Sequence, residues 1–236
     1  MTSAPKRPDG TPIWYGRHSS HKLRPGRRRL MDELLPRVQI TPLSDGAKIN
    51  LDDVFGTERG DLHLEIGFGG GEHLSGCANA APETSFIGCE PFIDGVASLL
   101  ADVEELGLEN VRVFSDDARI LLEALPDGCL SRTYLLFPDP WPKKRHNRRR
   151  LVGPEFLTTL ARLSADKAEF LFASDHMGYV AWTLAEVHRH PDWTWTARRP
   201  ADWRDPPPDW VETRYEAKAR KKGDLPAYLS FRRRPR

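Results

Sequence analysis

The sequence predicts an α/β fold built on a mostly parallel, doubly wound sheet. Short apolar segments alternate with longer amphipathic segments through the centre of the chain, which is the pattern of repeated strand–helix–strand units. A glycine-rich turn follows the first of these apolar segments, at 67–71, where a strand passes into a helix. A length of 236 residues suits one sizeable α/β domain with extensions.

Each element is predicted from its own local pattern. Buried or alternating apolar runs predict strands at 62–67, 85–90, 111–114, 132–137, 169–174, 193–198 and 227–233. Helical segments are predicted to begin near Glu72, to cover 92–106, to begin near Ala118 and Pro154, and to cover about 178–190. Pro154 suits the first turn of a helix, where the missing N–H is not needed.

The charge distribution separates the ends of the chain from its middle. The net charge of +1 conceals nine Lys/Arg against three Asp/Glu in 1–37, five against eighteen in 38–136, and twenty-one against thirteen in 137–236. Two basic segments beside an acidic middle favour a polyanionic partner, although such runs also occur as plain solvated surface. Residues 1–36 lack periodicity and predict a flexible arm, with 24–30 its most basic stretch, followed by a single domain over 37–236.

Several classes of protein are disfavoured by composition. Cys77, Cys89 and Cys129 contain no C-x-x-C pair, so they predict core thiols in a reducing cytoplasm rather than a zinc site or a disulfide framework. No apolar run approaches the roughly 18 residues of a membrane span, and residues 1–12 lack a secretory apolar stretch. The eight histidines have no metal-ligand spacing. We therefore expect no membrane and no metal as partners.

The glycine turn EIGFGGGE, residues 65–72, lies where α/β sheets bind ligands, outside the carboxyl end of a strand. Glycines there let a ligand approach the backbone. A dinucleotide fingerprint would need a glycine at position 72, which is Glu72, and a carboxylate there would repel a pyrophosphate. Glu65 and Glu72 instead favour a cofactor with a positive centre and no phosphate, such as S-adenosylmethionine. A plain strand–helix turn is the alternative.

Acidic side chains also follow the next two predicted strands. Glu90 lies 19 residues after Gly71, where an acid can accept hydrogen bonds from both hydroxyls of a ribose. Asp116 and Asp117 end the third strand, where a carboxylate can accept a hydrogen bond from an adenine amino group. Each acid alone is also compatible with a surface position or a helix cap. At successive strand ends in one crevice, together they favour an adenosine-containing cofactor.

The segment FPDPWP, residues 137–142, ends the fourth predicted strand. Its prolines lack N–H donors, and residues before proline are expected in extended geometry, so we predict a rigid loop that presents Asp139 and Trp141. Trp141 could stack on a nucleobase, worth about 1–3 kcal/mol, and Asp139 could accept hydrogen bonds from guanine or oppose positive charge. The alternative is a structural turn with Trp141 in the core.

Two basic segments follow this loop. The run KKRHNRRR, 143–150, has six Lys/Arg in eight residues and predicts phosphate contacts with strongly salt-dependent binding. The segment TRYE, 213–216, precedes four further cations between 218 and 222. A base-reading segment beside a phosphate-contacting one suits RNA, whereas a charged helix with i,i+4 pairs would give the same pattern.

These motifs together resemble the tRNA (guanine-N7)-methyltransferase family over about 60–230. The resemblance rests on EIGFGGGEHL, FIGCEPF, DDA, LLFPDPWPKKRHNRRRLV, ASDH and TRYEAKARKKG. It implies the seven-stranded, Rossmann-like sheet of S-adenosylmethionine-dependent methyltransferases, with an antiparallel last strand, and a catalytic domain over 37–236. It also implies methyl transfer to N7 of a guanine in the variable loop of tRNA, position 46 in conventional tRNA numbering. Ser174, where the family pattern has Thr, is a mild departure.

The resemblance implies a set of site residues. Asp139 matches the proposed catalytic residue. The cofactor-binding positions are Glu65, Gly67, Gly69, Glu90, Asp117 and Asp139, and the substrate-binding positions are Lys143, Asp175, Thr213, Arg214, Tyr215 and Glu216. The N-terminal arm matches only loosely, and both a monomer and a homodimer stay open.

Other functions fit parts of the pattern. Glu72 and the basic run argue against a nicotinamide-dependent dehydrogenase. A non-catalytic RNA-binding module would leave Glu65, Glu90 and Asp117 without a role. The remaining alternative is a methyltransferase that acts on another nucleic-acid base, on protein or on a small molecule. A substrate assay distinguishes it from a tRNA methyltransferase.

Overall fold

The computed structural model describes residues 23–41, 46–57, 60–208, 210–221 and 223–236. Its strands are β1 (Leu62–Ile66), β2 (Ser85–Cys89), β3 (Val111–Phe114), β4 (Leu130–Leu136), β5 (Ser164–Ser174), β6 (Trp193–Trp195) and β7 (Ala227–Arg233). Its helices are α1 (Pro25–Glu33), α2 (Leu35–Val38), α3 (Leu51–Phe55), α4 (Glu72–Ala80), α5 (Ile93–Leu106), α6 (Ala118–Ala124), α7 (Pro154–Leu163), α8 (Met177–Arg189), α9 (Ala201–Arg204) and α10 (Arg214–Lys221), with a 3₁₀ helix at Lys144–Arg149. Within these ranges, no helix has the length and apolar character to cross a bilayer.

The seven strands form a sheet in the order β3-β2-β1-β4-β5-β7-β6. β2 pairs in parallel with β3, and β4 with β5. β7 is antiparallel to both β5 and β6. This confirms the predicted seven-stranded, mostly parallel sheet with an antiparallel last strand. The predicted helix starts at Glu72, Ala118 and Pro154 are confirmed as well.

The described residues up to Gly60, together with Ile66–Pro126, form one of two compact units. Here the structure differs from the predicted flexible arm, because residues 25–33 are the helix α1. Leu30 is buried in a cluster that includes Leu100 of α5, and Arg29 donates to both carboxylate oxygens of Glu104, at 2.9 and 2.6 Å. The apolar side chains hidden among the arginines of this segment thus attach it to α5. Residues 1–22 of the predicted arm lie outside the described residues.

The second unit comprises Asp61–Glu65 and Asp127–Arg236. Phe170, in the middle of β5, is fully buried. Its ring centroid lies 6.0 Å from that of Phe156 on α7, 5.9 Å from that of Trp193 on β6, and 5.6 Å from that of Phe231 on β7. These aromatic pairs connect helix and strands around one core position, where each ring contributes its buried area and an edge or tilted contact.

Strand β5 begins five residues earlier than predicted. Leu130 pairs with Ser164, but Arg132 pairs with Glu169, so the β5 strand has extra residues at this point. Lys167 lies in the bulged part with φ +67, in the left-handed region. The polar residues of the bulge interrupt the apolar pattern on which the prediction rested, since a bulge leaves residues unpaired and bends the strand.

Replacing Phe170 with Ala should reduce the free energy of unfolding by about 3–5 kcal/mol, because it removes a fully buried ring and leaves a cavity among three aromatic neighbours. Urea denaturation followed by circular dichroism would measure the change. Leu225→Ala is the control, since Leu225 is 83% exposed and its loss should shift stability by no more than about 0.5 kcal/mol. Equal effects of the two substitutions would contradict the assignment of Phe170 to the core.

Candidate active site

The glycine turn of the first unit leaves open space beside its backbone. Gly67, Gly69 and Gly71 have φ of +73, +56 and +88, values that side chains rarely adopt. A Cβ on Gly67 or Gly69 would meet nothing within 4 Å, whereas a Cβ on Gly71 would lie 2.8 Å from the side chain of Leu99. Gly71 is therefore needed for packing, while Gly67 and Gly69 leave room for a ligand to contact the main chain.

Glu90 follows β2 and is buried. Its Oε2 accepts a hydrogen bond from Gly69 N–H at 2.9 Å, and its Oε1 accepts one from Phe92 N–H at 3.0 Å. The turn and the acid predicted to bind the cofactor are thus brought together, with the carboxylate held by two backbone donors.

Gly95, in the first turn of α5, is a site residue that the sequence reading missed. A Cβ at this position would lie 2.2 Å from Gly69 O and 3.3 Å from Glu90 Cγ. The helix can approach the glycine turn this closely only because residue 95 has no side chain. A glycine inside an otherwise amphipathic helix was the available signal.

Asp117 both caps a helix and forms an ion pair with an arginine side chain. It is the N-cap of α6, and its Oδ1 accepts from Arg119 N–H and from Arg119 Nε–H, each at 3.0 Å. Its Oδ2 accepts from Arg119 Nη2 at 2.5 Å. The helix-cap interpretation is therefore confirmed for Asp117. Arg119 was not among the predicted site residues.

Glu65, on β1 in the second unit, is also buried.

The Pro-Asp-Pro loop of the second unit has a backbone that differs from the prediction. Phe137 and Trp141, each followed by a proline, have φ of +49 and +44 and lie in the left-handed region instead of being extended. Phe137 N–H donates to Ala173 O at 2.8 Å, which continues the β4–β5 pairing one residue beyond β4. The steric rule for residues before proline is overridden here by tertiary contacts, and Asp139 is presented as an exposed side chain.

Asp175 and Tyr215 lie beside the start of this loop. Tyr215 O–H donates to Asp175 Oδ2 at 3.3 Å, and the Tyr215 ring packs on Phe137 with centroids 5.3 Å apart. Burial, followed by the neighbouring Asp175 carboxylate, raises the pKa of Tyr215, so the phenol stays protonated as a donor. The ring is still 53% exposed. Residues from three separate motifs thus form one aromatic and acidic surface.

Glu216 departs from the predicted substrate contact, because its carboxylate is 0% exposed. Oε2 accepts from Trp210 Nε1–H at 2.7 Å, and Oε1 accepts from Arg220 Nη2 at 3.0 Å and from Tyr228 O–H. Glu216 N–H donates to Thr213 Oγ1 at 3.1 Å, at the start of α10. In this structure Glu216 supports the helix that carries Arg214 and Tyr215, both of which are exposed.

The basic run after the loop divides into exposed and inward-facing side chains. Lys143, Lys144, Arg145 and Arg148 are exposed. The guanidinium of Arg149 lies 4.8 Å from the centre of the Trp141 ring. The His146 ring is nearly perpendicular to that of Trp141, and the two ring centroids are 6.0 Å apart. Desolvation and then the surrounding cations lower the pKa of His146. Trp141 is half-buried and has Arg149 on one face of its ring. Arg150 is buried, in contrast to the exposed phosphate-contacting side chain that the basic run predicted.

A match to a family model gives the class of protein. A family model described as "Putative methyltransferase" matches residues 59–227. Two solved structures share the fold: the 16S rRNA methyltransferase KamB, with TM-score 0.53 and 18% identity over 76% of this chain and 90% of that one, and a variant of the 16S rRNA (adenine(1408)-N(1))-methyltransferase from Catenulisporales acidiphilia, with TM-score 0.51 and 14% identity over 76% and 88%.

Sequence relatives identify the family within this class. The tRNA (guanine-N(7)-)-methyltransferase of Rhodospirillum rubrum is 50% identical over 98% of this chain and 92% of its own length. The proteins of the same name from Chelativorans sp. and Zymomonas mobilis are 46% and 45% identical, over 94% and 93% of this chain and 95% and 93% of their own lengths. The chain belongs to the tRNA (guanine-N(7)-)-methyltransferase family.

Because of Tyr179 on α8, we expect the free energy of unfolding to decrease at high pH. Burial raises its pKa to about 12, whereas the unfolded phenol titrates near 10. Between these values the unfolded chain releases a proton that the folded chain retains, so stability decreases as pH rises from about 10 to about 12. Tyr179→Phe should make that slope shallower by up to about 1.4 kcal/mol per pH unit. Urea denaturation between pH 10 and 12 measures the free energy of unfolding of both proteins. The same slope in wild type and Tyr179→Phe would contradict a raised pKa of Tyr179.

Proposed function

We propose that this chain transfers the methyl group of S-adenosylmethionine to N7 of the guanine at position 46, in the variable loop of tRNA. The observation that carries the proposal is the 50% identity to a tRNA (guanine-N(7)-)-methyltransferase over 98% of the chain. That match spans both the acids after the early strands and the basic segments after the later ones. The three free cysteines and the tRNA substrate support a cytoplasmic location.

The cofactor contacts that we propose are those of Glu65, Gly67, Gly69, Glu90 and Asp117. S-adenosylmethionine carries a sulfonium, an ammonium, a ribose and an adenine, and supplies an electrophilic methyl group. Glu90 suits the ribose, because its two carboxylate oxygens are held by backbone N–H groups and carboxylate oxygens accept hydrogen bonds from hydroxyls. Asp117 can accept from the adenine amino group. The open space at Gly67 and Gly69 fits a ligand lying against the main chain.

The guanine contacts that we propose are those of Asp139, Asp175, Thr213 and Tyr215. The Watson–Crick edge of guanine presents N–H donors, which carboxylates accept well. The exposed ring of Tyr215 offers a stacking face, worth about 1–3 kcal/mol for a nucleobase. Its hydrogen bond to Asp175 would fix that carboxylate towards the base. Glu216 acts behind this surface by supporting α10.

The chemistry requires no proton removal. Guanine N7 has an exposed lone pair and no hydrogen, so it can attack the sulfonium methyl carbon in line without a general base. The C–S bond breaks as the N–C bond forms, and S-adenosylhomocysteine leaves as a neutral thioether. The purine ring gains positive charge as the N–C bond forms. A carboxylate held by a stiff loop, such as that of Asp139, stabilises this developing charge and orients the base.

The tRNA backbone contacts that we propose involve Lys143 and Arg214, aided by the exposed Lys144, Arg145 and Arg148. Lysine and arginine side chains neutralise phosphates without reading sequence. Binding should therefore weaken steeply as salt concentration rises.

The test uses the full chain with methyl-labelled S-adenosylmethionine and unmodified tRNA transcript. Digestion to nucleosides should yield labelled 7-methylguanosine, and a transcript with adenosine at position 46 should take up no label. Duplex DNA and protein serve as substrate controls. Label in a different nucleoside, or equal labelling of the transcript without the guanine, would refute the proposed reaction or position.

Asp139→Asn should lower kcat by about 10- to 100-fold, because the side chain keeps its size but loses the charge that opposes the developing cation. Single-turnover methylation of tRNA measures the chemical step, and calorimetry with S-adenosylhomocysteine measures cofactor affinity separately. Asp127→Asn is the control, since Asp127 precedes β4 and pairs with Arg162, whereas Asp139 follows that strand. Wild-type kcat in Asp139→Asn would exclude the electrostatic role.

A further inference from the structure

Arg150 ends the basic run but does not share its exposure. The side chains of Lys143, Lys144, Arg145 and Arg148 face solvent, while Arg150 is 9% exposed. Phosphates of an RNA backbone reach surface cations, so a buried guanidinium in this segment must have a different role.

The guanidinium of Arg150 joins two loops of the second unit. Its Nε donates to Pro140 O at 3.0 Å, and its Nη1 donates to Gly178 O at 3.2 Å. Pro140 directly follows Asp139 in the loop after β4. Gly178 lies in the first turn of α8, three residues after Asp175, which directly follows β5. One side chain therefore connects the segments that carry the two carboxylates of the proposed guanine site.

Aromatic side chains hold Arg150 in this position. Its guanidinium carbon lies 4.9 Å from the centre of the Tyr179 ring and 5.3 Å from that of Trp182. Tyr179 O–H also accepts from Val152 N–H at 3.3 Å, and Trp182 Nε1–H donates to Val152 O at 2.8 Å. The chain on the carboxyl side of Arg150 is thus attached to the same helix. Burial lowers the pKa of Arg150, and an arginine still keeps its charge at neutral pH.

The loop needs such a contact because its backbone is not in a relaxed conformation. Trp141 has φ +44, a value that bulky residues avoid. The Pro140 carbonyl belongs to the peptide plane that precedes this torsion, so the bond from Arg150 fixes that plane. Without it, Trp141 can return to extended geometry and the Pro-Asp-Pro segment can rotate.

We propose that Arg150 is a positioning residue that fixes Asp139 relative to Asp175 and that it does not contact tRNA phosphate. The inference rests on the proposed function. Lysine cannot replace arginine here, because a single ammonium can neither span both carbonyls in one plane nor stack between two rings.

The experiment compares Arg150→Lys with Arg233→Lys. Arg233 is a matched control, since it is buried in the same unit and its side chain donates to the backbone carbonyl of Ala161 at 3.0 Å. It lies at the end of β7 opposite Ala227, the residue that pairs with Ser174. Both variants should lose thermal stability. Only Arg150→Lys should lower kcat per folded molecule, by about 10- to 100-fold, with unchanged KM for tRNA and unchanged affinity for S-adenosylhomocysteine.

The salt dependence of tRNA binding separates positioning from phosphate contact. Arg150→Met should leave the slope of log K against log salt at its wild-type value, whereas Arg148→Met should reduce its magnitude by about 0.7–0.9. A reduced slope in Arg150→Met, or wild-type kcat in Arg150→Lys, would overturn the proposal. So would an equal loss of kcat in Arg150→Lys and Arg233→Lys.

Two further measurements address a variant that does not fold and a wild-type protein that lacks the proposed activity. If Arg150→Lys does not fold, Trp182→Phe tests the same contact more mildly, because it removes the Nε1–H bond to Val152 and weakens the face over Arg150. It should lower kcat without changing KM, and a wild-type kcat there would overturn the proposal. Absence of 7-methylguanosine with the wild-type protein would instead refute the proposed function.

Discussion

Two hydrogen bonds determine the path of the loop that carries Asp139. Phe137 N–H to Ala173 O extends the β4–β5 pairing beyond the end of β4, and Arg150 to Pro140 O holds the other side of the loop. Only Pro138 and Asp139 lie between Phe137 and Pro140, and the prolines have fixed φ. Asp139 therefore has an exposed side chain on a backbone with little freedom. The position of Tyr215 depends on the same geometry, since its ring packs on Phe137.

Charge is arranged differently in the two units, and each arrangement suits the ligand proposed for it. In the first unit, Glu90 and Asp117 are buried carboxylates whose oxygens accept from backbone N–H groups and, for Asp117, from Arg119. Acceptors fixed in this way need little reorganisation when a ligand binds, and their negative charge favours a cationic methyl donor. In the second unit the exposed cations after β4 and on α10 favour a polyanion.

Two buried charges of the second unit have internal hydrogen-bond partners and lie beside exposed side chains of the proposed site. Glu216 is enclosed by Trp210, Arg220 and Tyr228, and it holds the helix on which Tyr215 lies. Arg150 is enclosed by two rings and two carbonyls beside Asp139. Buried charges are tolerated only when their hydrogen-bonding groups are satisfied. Satisfying them fixes the surrounding segments, which is how such residues influence a site that they do not touch.

The sequence by itself determined the order of the strands and, within one residue, the starts of the helices that follow β1 to β5, because apolar periodicity and the positions of glycine and proline are local properties. It also determined that Glu90, Asp117 and Asp139 follow strands. Only the tertiary structure decided which charged side chains turn inward. Arg149 and Arg150 are adjacent arginines, yet one covers a face of Trp141 and the other is buried against α8. The short, almost entirely polar 3₁₀ helix before Arg150 has no apolar periodicity that marks a buried face. The side chains that bury Arg150 come from a helix distant in sequence. The positive φ of Phe137 and Trp141 has the same origin, since long-range contacts outweigh the local preference for extended geometry.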